Sequence, residues 1–256
     1  MPKFAANLTF LFTERPFMDR FHAAKVAGFD AVEVLFPYEY SAQEMRACLV
    51  ANDLALVLMN VPPPNWAGGD RGFAAVPGAE TRFRHDFERA LRFADLLRPH
   101  HLHIMAGRAE GATARATYVQ NLHWATRRAP HHSLTIEPIN PGDMPGYFLA
   151  DFDLAAAILD EVAAPNLGLQ FDAYHAHMIT DDVRQTWQDH GPRTVHIQIA
   201  GAPGRHEPQG GAIDYPGFFQ NLDAAGYTGF VSAEYTPADT TEAGLGWLAA
   251  ARAMQG

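Results

Sequence analysis

Short apolar segments alternate with longer amphipathic segments along the whole chain. Eight segments are short, rich in Val, Ile, Leu and Phe, and mostly without a polar face, a pattern typical of buried parallel strands. They cover residues 4–12, 31–36, 54–60, 102–106, 134–139, 167–172, 194–199 and 229–235. Eight strands with helical segments between them predict an α/β fold, a (β/α)8 TIM barrel that forms a single domain over residues 1–256.

The segments between the strands carry helical signals. Predicted helices cover residues 79–97, 112–127, 151–162, 181–189, 216–225 and 240–254. Ser41 and Glu44 form a capping box, which predicts a further helix start, and Gly28 and Gly226 stand where helices should end. A doubly wound sheet is the structural alternative, but the glycine-rich phosphate-binding motifs of nucleotide folds are absent from the sequence.

Composition and charge limit the classes of partner and the cellular compartment that we expect. The chain is 48% hydrophobic and carries a net charge of −10, with no basic block, so we expect no nucleic-acid partner. No apolar run reaches the ~18 residues of a membrane span, and no signal peptide is evident. Cys48 is the only cysteine, which excludes an intrachain disulfide and fits a reducing compartment. We therefore expect a soluble, cytoplasmic protein with no membrane partner.

Polar side chains end the last four predicted strands. They are Glu137, Asp172, Gln198 and Glu234, at separations of 35, 26 and 36 residues, each about one strand–helix unit. Active sites of (β/α)8 barrels lie at the C-terminal ends of the strands. We therefore expect these four side chains on adjacent strands at one end of the barrel.

Three carboxylates in one place repel one another and lose hydration, which a divalent cation would offset. Three carboxylates with one amide oxygen form an all-oxygen ligand set, which suits Mg²⁺ or Mn²⁺ better than Zn²⁺. The alternative is that each acid is a solvated strand end or the partner of an arginine. The pattern favours the metal site because all four residues fall on successive strands.

Three further residues are candidates for substrate contacts. His175 follows Asp172 by three residues and can face the mouth of the barrel. Arg205, in the loop after strand seven, can bind a substrate carboxylate through paired hydrogen bonds. Trp66, in the long loop after strand three, can cover the site. Each also has an ordinary structural explanation, as a capping histidine, a surface arginine or a packed tryptophan.

Ten short motifs, spread in order over nearly the whole chain, carry a family resemblance. They cover residues 7–12, 33–38, 60–63, 65–69, 136–140, 143–148, 169–175, 196–200, 203–208 and 234–235. With these motifs the sequence resembles the hydroxypyruvate isomerase family, within the xylose isomerase-like TIM-barrel superfamily. Two positions depart from the family pattern, since Thr236 and Arg108 stand where lysine is common. Carboxylate binding or substrate size can therefore differ.

The resemblance implies a role for most of the residues named above. It assigns metal binding to Glu137, Asp172, Gln198 and Glu234, catalytic proton transfer to Glu137 and Glu234, and substrate contacts to His175, Arg205 and Asp143. The implied reaction interconverts hydroxypyruvate, a small 2-oxo acid, and tartronate semialdehyde through a cis-enediolate. The resemblance also points to a homo-oligomer, although the sequence itself shows no interface.

Other functions stay open at this level. A 2-oxo-tetronate isomerase would run the same chemistry on a four-carbon acid, and a ketose 3-epimerase would use the same two glutamates on a sugar. A DNA-repair nuclease on this barrel would need a basic groove, which the net charge of −10 opposes. A non-catalytic binding protein would be expected to lack Glu137 or Glu234, and both are present.

Overall fold

The computed structural model describes residues 2–61 and 71–254. Nine parallel strand segments form one sheet, in the order β3-β2-β1-β9-β8-β7-β6-β5-β4. They are β1 (Lys3–Asn7), β2 (Ala31–Glu33), β3 (Ala55–Leu56), β4 (Leu58–Asn60), β5 (His101–His103), β6 (Ser133–Ile136), β7 (Leu167–Asp172), β8 (Thr194–Ile199) and β9 (Phe230–Ala233). The first strand thus pairs with the last, as in a barrel.

One residue closes the ring. Only Val57 separates β3, which pairs with β2, from β4, which pairs with β5. The Val57 N–H donates to the Val32 carbonyl, and the Val57 carbonyl accepts from the His101 N–H, both at 2.8 Å. β3 and β4 therefore serve as one strand of an eight-stranded barrel. The predicted (β/α)8 architecture is confirmed.

Helices surround the barrel. They are α1 (Asp19–Val26), α2 (Ala42–Ala51), α3 (Glu80–Leu97), α4 (Gly111–Arg128), α5 (Phe152–Val162), α6 (Ala173–Thr180), α7 (Val183–His190), α8 (Tyr215–Ala224) and α9 (Gly246–Ala253). The predicted cap is present, because Ser41 Oγ accepts from the Glu44 N–H at 3.3 Å. Within the part of the chain that the structure describes, no helix is long and apolar enough to cross a membrane.

The first predicted strand is too long. β1 ends at Asn7, whereas the apolar pattern predicted a strand over residues 4–12. Asn7 Oδ1 accepts from the Thr9 N–H at 3.0 Å, and the Asn7 carbonyl accepts from the Leu11 N–H at 2.9 Å. The chain therefore turns at Asn7, and the apolar residues after it are buried in turns rather than in a strand. The prediction was wrong for residues 8–12.

The structure also differs from the predicted helices in two places. The last helix, predicted over residues 240–254, begins only at Gly246. Thr241 holds the preceding segment in a turn, because its N–H donates to Glu14 at 2.6 Å and its hydroxyl accepts from the Phe12 N–H at 2.6 Å. Helix α6 was not predicted. It starts directly at the end of β7, where the Asp172 side chain accepts from two backbone N–H groups of its first turn.

An aromatic cluster joins the barrel to three helices. Phe171 of β7 is fully buried, and its ring lies 5.4 Å from that of Phe152 on α5. It lies 5.5 Å from the Trp187 ring on α7 and 6.0 Å from the Phe218 ring on α8. Phe171 therefore packs the strand that ends at Asp172 against three surrounding helices.

Phe171→Ala is expected to lower the free energy of unfolding by about 3–5 kcal/mol, because it removes a buried ring and leaves a cavity. Urea unfolding followed by circular dichroism measures the change. Val26→Ala is the matched control, since that side chain is 72% exposed and its loss should change stability by less than about 0.5 kcal/mol. Equal midpoints for the two variants would contradict the role given to Phe171.

Candidate active site

A cavity of about 430 Å³ opens at the C-terminal end of the barrel. Five of the predicted metal-binding, catalytic or substrate-binding residues line it: Glu137, Asp143, His175, Arg205 and Glu234. Asp172 and Gln198 lie buried at the ends of their strands, and Trp66 lies outside the described residues. A larger cavity of about 880 Å³ opens around His100 and His101, at the N-terminal side of β5, but its lining carries no carboxylate. The smaller cavity is therefore the candidate active site, because carboxyl groups that can exchange protons line it.

Arg205 joins the acids of this cavity. Its Nη2 lies 2.7 Å from Glu234 Oε1 and 3.3 Å from Asp172 Oδ2, and its Nη1 lies 3.6 Å from Asp143 Oδ2. The guanidinium also lies over the Tyr174 ring, 5.2 Å from its centre. Burial lowers the pKa of Arg205, but the surrounding carboxylates raise it by more, so the group stays charged. Arg205 thus neutralises part of the acid cluster.

The two glutamates hold protons more tightly than ordinary carboxyl groups. Burial raises the pKa of Glu137 well above its usual range, and the charges of Glu234 and Asp172 raise it further. Burial also raises the pKa of Glu234, while Arg205 acts in the opposite direction. A buried carboxyl group with a raised pKa keeps its proton to a higher pH than an exposed one, which suits a group that donates or accepts protons in general acid–base catalysis.

Gln198 belongs to a buried hydrogen-bond network. Its Nε2 donates to Glu33 Oε1 at 2.5 Å and also to Glu234 Oε2, while its Oε1 accepts from Gln170 Nε2 at 2.7 Å. Asn7 Nδ2 donates to the same two oxygens, at 2.9 Å to Glu33 and 3.1 Å to Glu234. Two amide groups therefore fix the orientation of Glu234.

Sequence reasoning missed Glu33 and Asn7 as site residues. Glu33 ends β2 and is fully buried, and burial raises its pKa to about 7. His196 Nε2 lies 2.9 Å from Glu33 Oε2. An acid directly after the apolar pair Ala31 and Val32 was the available signal, since few carboxylates sit inside an apolar run without a buried partner.

His175 is buried and neutral at the wall of the cavity. Its Nδ1 lies 3.4 Å from the Asn140 backbone N and 2.8 Å from Asn140 Nδ2. Because a backbone N–H can only donate, Nδ1 accepts and Nε2 carries the proton. Burial lowers the pKa of His175 to about 4, although Asp172 opposes this. The ring therefore presents an N–H, suited to a substrate oxygen.

The donor set fits a hard divalent cation. Atoms of Glu137, Asp172 and His175 lie within 4.8 Å of one another, and the two carboxyl groups can each offer an oxygen. Nε2 of His175 is protonated in this arrangement, and Gln198 turns its nitrogen toward Glu234, so carboxylate oxygens are the available donors. Oxygen ligands suit Mg²⁺ or Mn²⁺. The predicted ligands Glu137 and Asp172 are therefore brought together, while Gln198 is engaged in the hydrogen-bond network.

Comparison with known proteins agrees with this architecture. The family model described as xylose isomerase-like TIM barrel matches residues 21–251. The chain belongs to the xylose isomerase-like TIM barrel family. A crystal structure described as an AP endonuclease of family 2 from Brucella melitensis is 40% identical, covers 98% of this chain and 99% of that chain, and superposes with a TM-score of 0.94. The recognition made from the ten motifs is confirmed.

Curated members of the family identify the type of enzyme. A 2-oxo-tetronate isomerase from Cupriavidus necator is 48% identical over 97% of this chain and 98% of its own length. A hydroxypyruvate isomerase from Escherichia coli is 37% identical over 97% of this chain and 98% of its own length. These relatives place the chain among the isomerases of the family, as predicted. The two relatives are named for different substrates, so the choice of substrate and the path of the protons have to be inferred from the residues of the site.

Proposed function

We propose that the protein isomerises a small 3-hydroxy-2-oxo acid by moving the carbonyl group from C2 to C3. The observation that carries the proposal is the pair Glu137 and Glu234, two buried carboxyl groups with raised pKa values that line one cavity. The reaction needs one group to take a proton from carbon and one to return a proton to the neighbouring carbon. Arg205 and His175 line the same cavity and supply charge and hydrogen bonds to the oxygens.

The proposed mechanism passes through a cis-enediolate. One glutamate removes the proton from C3, and the electron pair of the broken C–H bond forms a C2–C3 double bond while the C2 carbonyl electrons move to oxygen. The other glutamate delivers a proton to C2, and the O3 proton passes to O2 as the C3 carbonyl forms. A divalent cation, when bound by the carboxylates, would supply positive charge to the enediolate oxygens.

The chain's own residues support the oxygens during this proton transfer. The N–H at Nε2 of His175 can donate to a substrate oxygen and relay the proton between O2 and O3. Arg205, held by Glu234 at 2.7 Å, offsets the negative charge that builds on the enediolate. Gln198 and Asn7 fix the Glu234 carboxyl group through two donated hydrogen bonds. Correct placement of the acid and the base is what makes the transfer fast.

Two substrates fit this chemistry. The sequence predicts hydroxypyruvate as the first choice and 2-oxo-tetronate as the alternative. The 48% identity to a 2-oxo-tetronate isomerase, against 37% to a hydroxypyruvate isomerase, favours the four-carbon acid. Solved sugar epimerases share the fold at 16–19% identity, which supports no choice of substrate. A cytoplasmic homo-oligomer remains a prediction from the sequence.

Proton NMR in D2O tests the proposed function, with hydroxypyruvate and 2-oxo-tetronate in competition and with Mg²⁺, Mn²⁺ or a chelator added. We expect turnover of both acids, faster for the four-carbon acid, with solvent deuterium entering the carbon skeleton and with most activity lost after chelation. Preference for hydroxypyruvate would keep the mechanism and reverse the substrate assignment. Turnover of neither acid with either metal would contradict the proposed function.

A further inference from the structure

Asn60, the last residue of β4, forms part of the cavity wall, and its neighbours hold three of its polar atoms. Its backbone N–H donates to the Leu35 carbonyl at 2.9 Å, and its backbone carbonyl accepts from the Tyr38 hydroxyl. Its side-chain oxygen, Oδ1, lies 3.1 Å from Nδ1 of His103, the last residue of β5. Asn60 is therefore held in the wall in a fixed orientation.

The contacts of the side-chain amide distinguish its oxygen from its nitrogen. Nδ1 of His103 lies 3.1 Å from Asn60 Oδ1 and 3.6 Å from Glu137 Oε2, and this pair of oxygens favours a proton on Nδ1. The Asn60 nitrogen, Nδ2, lies 3.7 Å from the sulfur of Met105. The reverse orientation would place the amide oxygen against that sulfur, where neither atom has a proton to share.

The side-chain nitrogen of Asn60 is the polar atom of this residue that lacks a strong partner. Among residues 2–61 and 71–254, it donates only to Met105 Sδ, and a thioether sulfur is a weak acceptor. Both side chains are buried and both line the cavity. Because a buried N–H group without a good acceptor costs free energy, this nitrogen is suited to donate to an oxygen of a bound molecule.

The surroundings of Asn60 favour a neutral hydroxyl group as that oxygen. His103 contacts both Asn60 and Glu137, so a substrate carboxylate bound at Asn60 would lie close to a second acid. Like charges at short distance repel each other. Leu35 and Met105, which contact Asn60 and line the cavity, are apolar. A hydroxyl group can accept from the amide without bringing a charge into this part of the cavity.

Resting on the proposed function, we propose that the side-chain nitrogen of Asn60 binds the C4 hydroxyl group of 2-oxo-tetronate. C4 is bonded to C3, where proton transfer takes place, and Asn60 is joined through His103 to Glu137, one of the two proton-transfer residues of the proposed function. Hydroxypyruvate ends at C3 and offers no oxygen at this position. The site therefore prefers the four-carbon acid through a hydrogen bond that the three-carbon acid cannot form.

Asn60→Ala in the competition assay tests this inference. It should lower kcat/KM for 2-oxo-tetronate by about 10- to 100-fold and change kcat/KM for hydroxypyruvate by less than about threefold. The ratio of the two constants is decisive, because a disturbance of the fold or of Glu137 lowers both constants together. An unchanged ratio in a folded Asn60→Ala protein would overturn the inference.

Two further variants separate the lost hydrogen bond from other effects. Asn60→Asp keeps the shape of the side chain and the oxygen that faces His103 but removes both N–H groups, so the ratio should fall as in Asn60→Ala. Asn166→Ala is the matched control, because Asn166 donates to the Ala129 carbonyl at 3.0 Å and directly precedes β7, at the opposite end of the barrel. It should leave the ratio within about twofold. An equal fall of the ratio in this control would contradict a specific role for Asn60.

Calorimetric titration separates this inference from the proposed function, because binding needs no turnover. The probes are the trihydroxy acid obtained by reducing the keto group of 2-oxo-tetronate and the same acid without its C4 hydroxyl group. We expect the wild type to bind the first probe at least about tenfold more tightly and Asn60→Ala to bind both probes equally. If the wild type turns over neither acid yet shows this difference, the proposed function fails and the hydroxyl site stands. Equal binding of the two probes by the wild type, or no binding of either, would overturn the hydroxyl site.

Discussion

Glu137→Gln and Glu234→Gln are each expected to lower kcat by about 10²- to 10⁴-fold and leave the fold intact. An amide has nearly the same shape as a carboxyl group but neither takes nor releases a proton at neutral pH. Both side chains line the cavity, so substrate can still enter and bind. The NMR assay measures kcat, and circular dichroism reports the fold.

The two variants should differ in one further respect. The variant that keeps the glutamate that removes the first proton should still exchange that substrate proton with D2O without net conversion. The other variant should show neither exchange nor conversion. Glu161→Gln is the control, because Glu161 lies at the surface in an exposed ion pair with Arg115, at 2.6 Å. A folded Glu137 or Glu234 variant with wild-type kcat would remove that residue from the catalytic pair.

Arg205→Met is expected to cost about 3 kcal/mol of stability in metal-free buffer, because it leaves buried carboxylates without their cation. For a chain of this length, that lowers the melting temperature by roughly 6–12 °C. Mg²⁺ or Mn²⁺ should restore part of the loss, since a divalent cation can replace the missing positive charge. Thermal unfolding with and without metal measures both effects.

A surface arginine provides the control for this prediction. Arg193 forms an ion pair with Asp160 at 2.8 Å on the exterior, and Arg193→Met should cost less than about 1 kcal/mol with no metal dependence. The same metal-induced rise in melting temperature for Arg193→Met, Arg205→Met and the wild type would contradict a cation-compensated acid cluster around Arg205.

The acids of the site could be predicted because their location depends on topology alone. Glu137 directly follows β6, Asp172 ends β7 and Glu234 directly follows β9. Parallel strands in a barrel place their C-terminal ends together whatever the surrounding side chains are. The end of the first strand could not be predicted in this way, because the apolar residues after Asn7 are equally compatible with a strand and with buried turns.

The orientation of side chains could not be predicted in the same way. Whether Gln198 presents oxygen or nitrogen to Glu234 depends on Gln170 and Glu33, which come from other strands. Arg205 contacts Asp143, Asp172 and Glu234, although nothing in its own loop indicates three partners. Such contacts arise from the packed tertiary structure. The turn at Asn7, by contrast, had a local signal, because asparagine often accepts from the N–H two residues ahead.

Pairing of the first strand with the last has a consequence for how the enzyme is made. Asn7 at the end of β1 donates to Glu234 directly after β9, so the carboxyl group that we propose as catalytic is oriented by a residue that leaves the ribosome long before it. Until β9 is synthesised, β1 has an open edge on that side. We therefore expect turnover to begin only after β1 and β9 have paired, so that its recovery during refolding reports the closure of the barrel rather than the formation of helices.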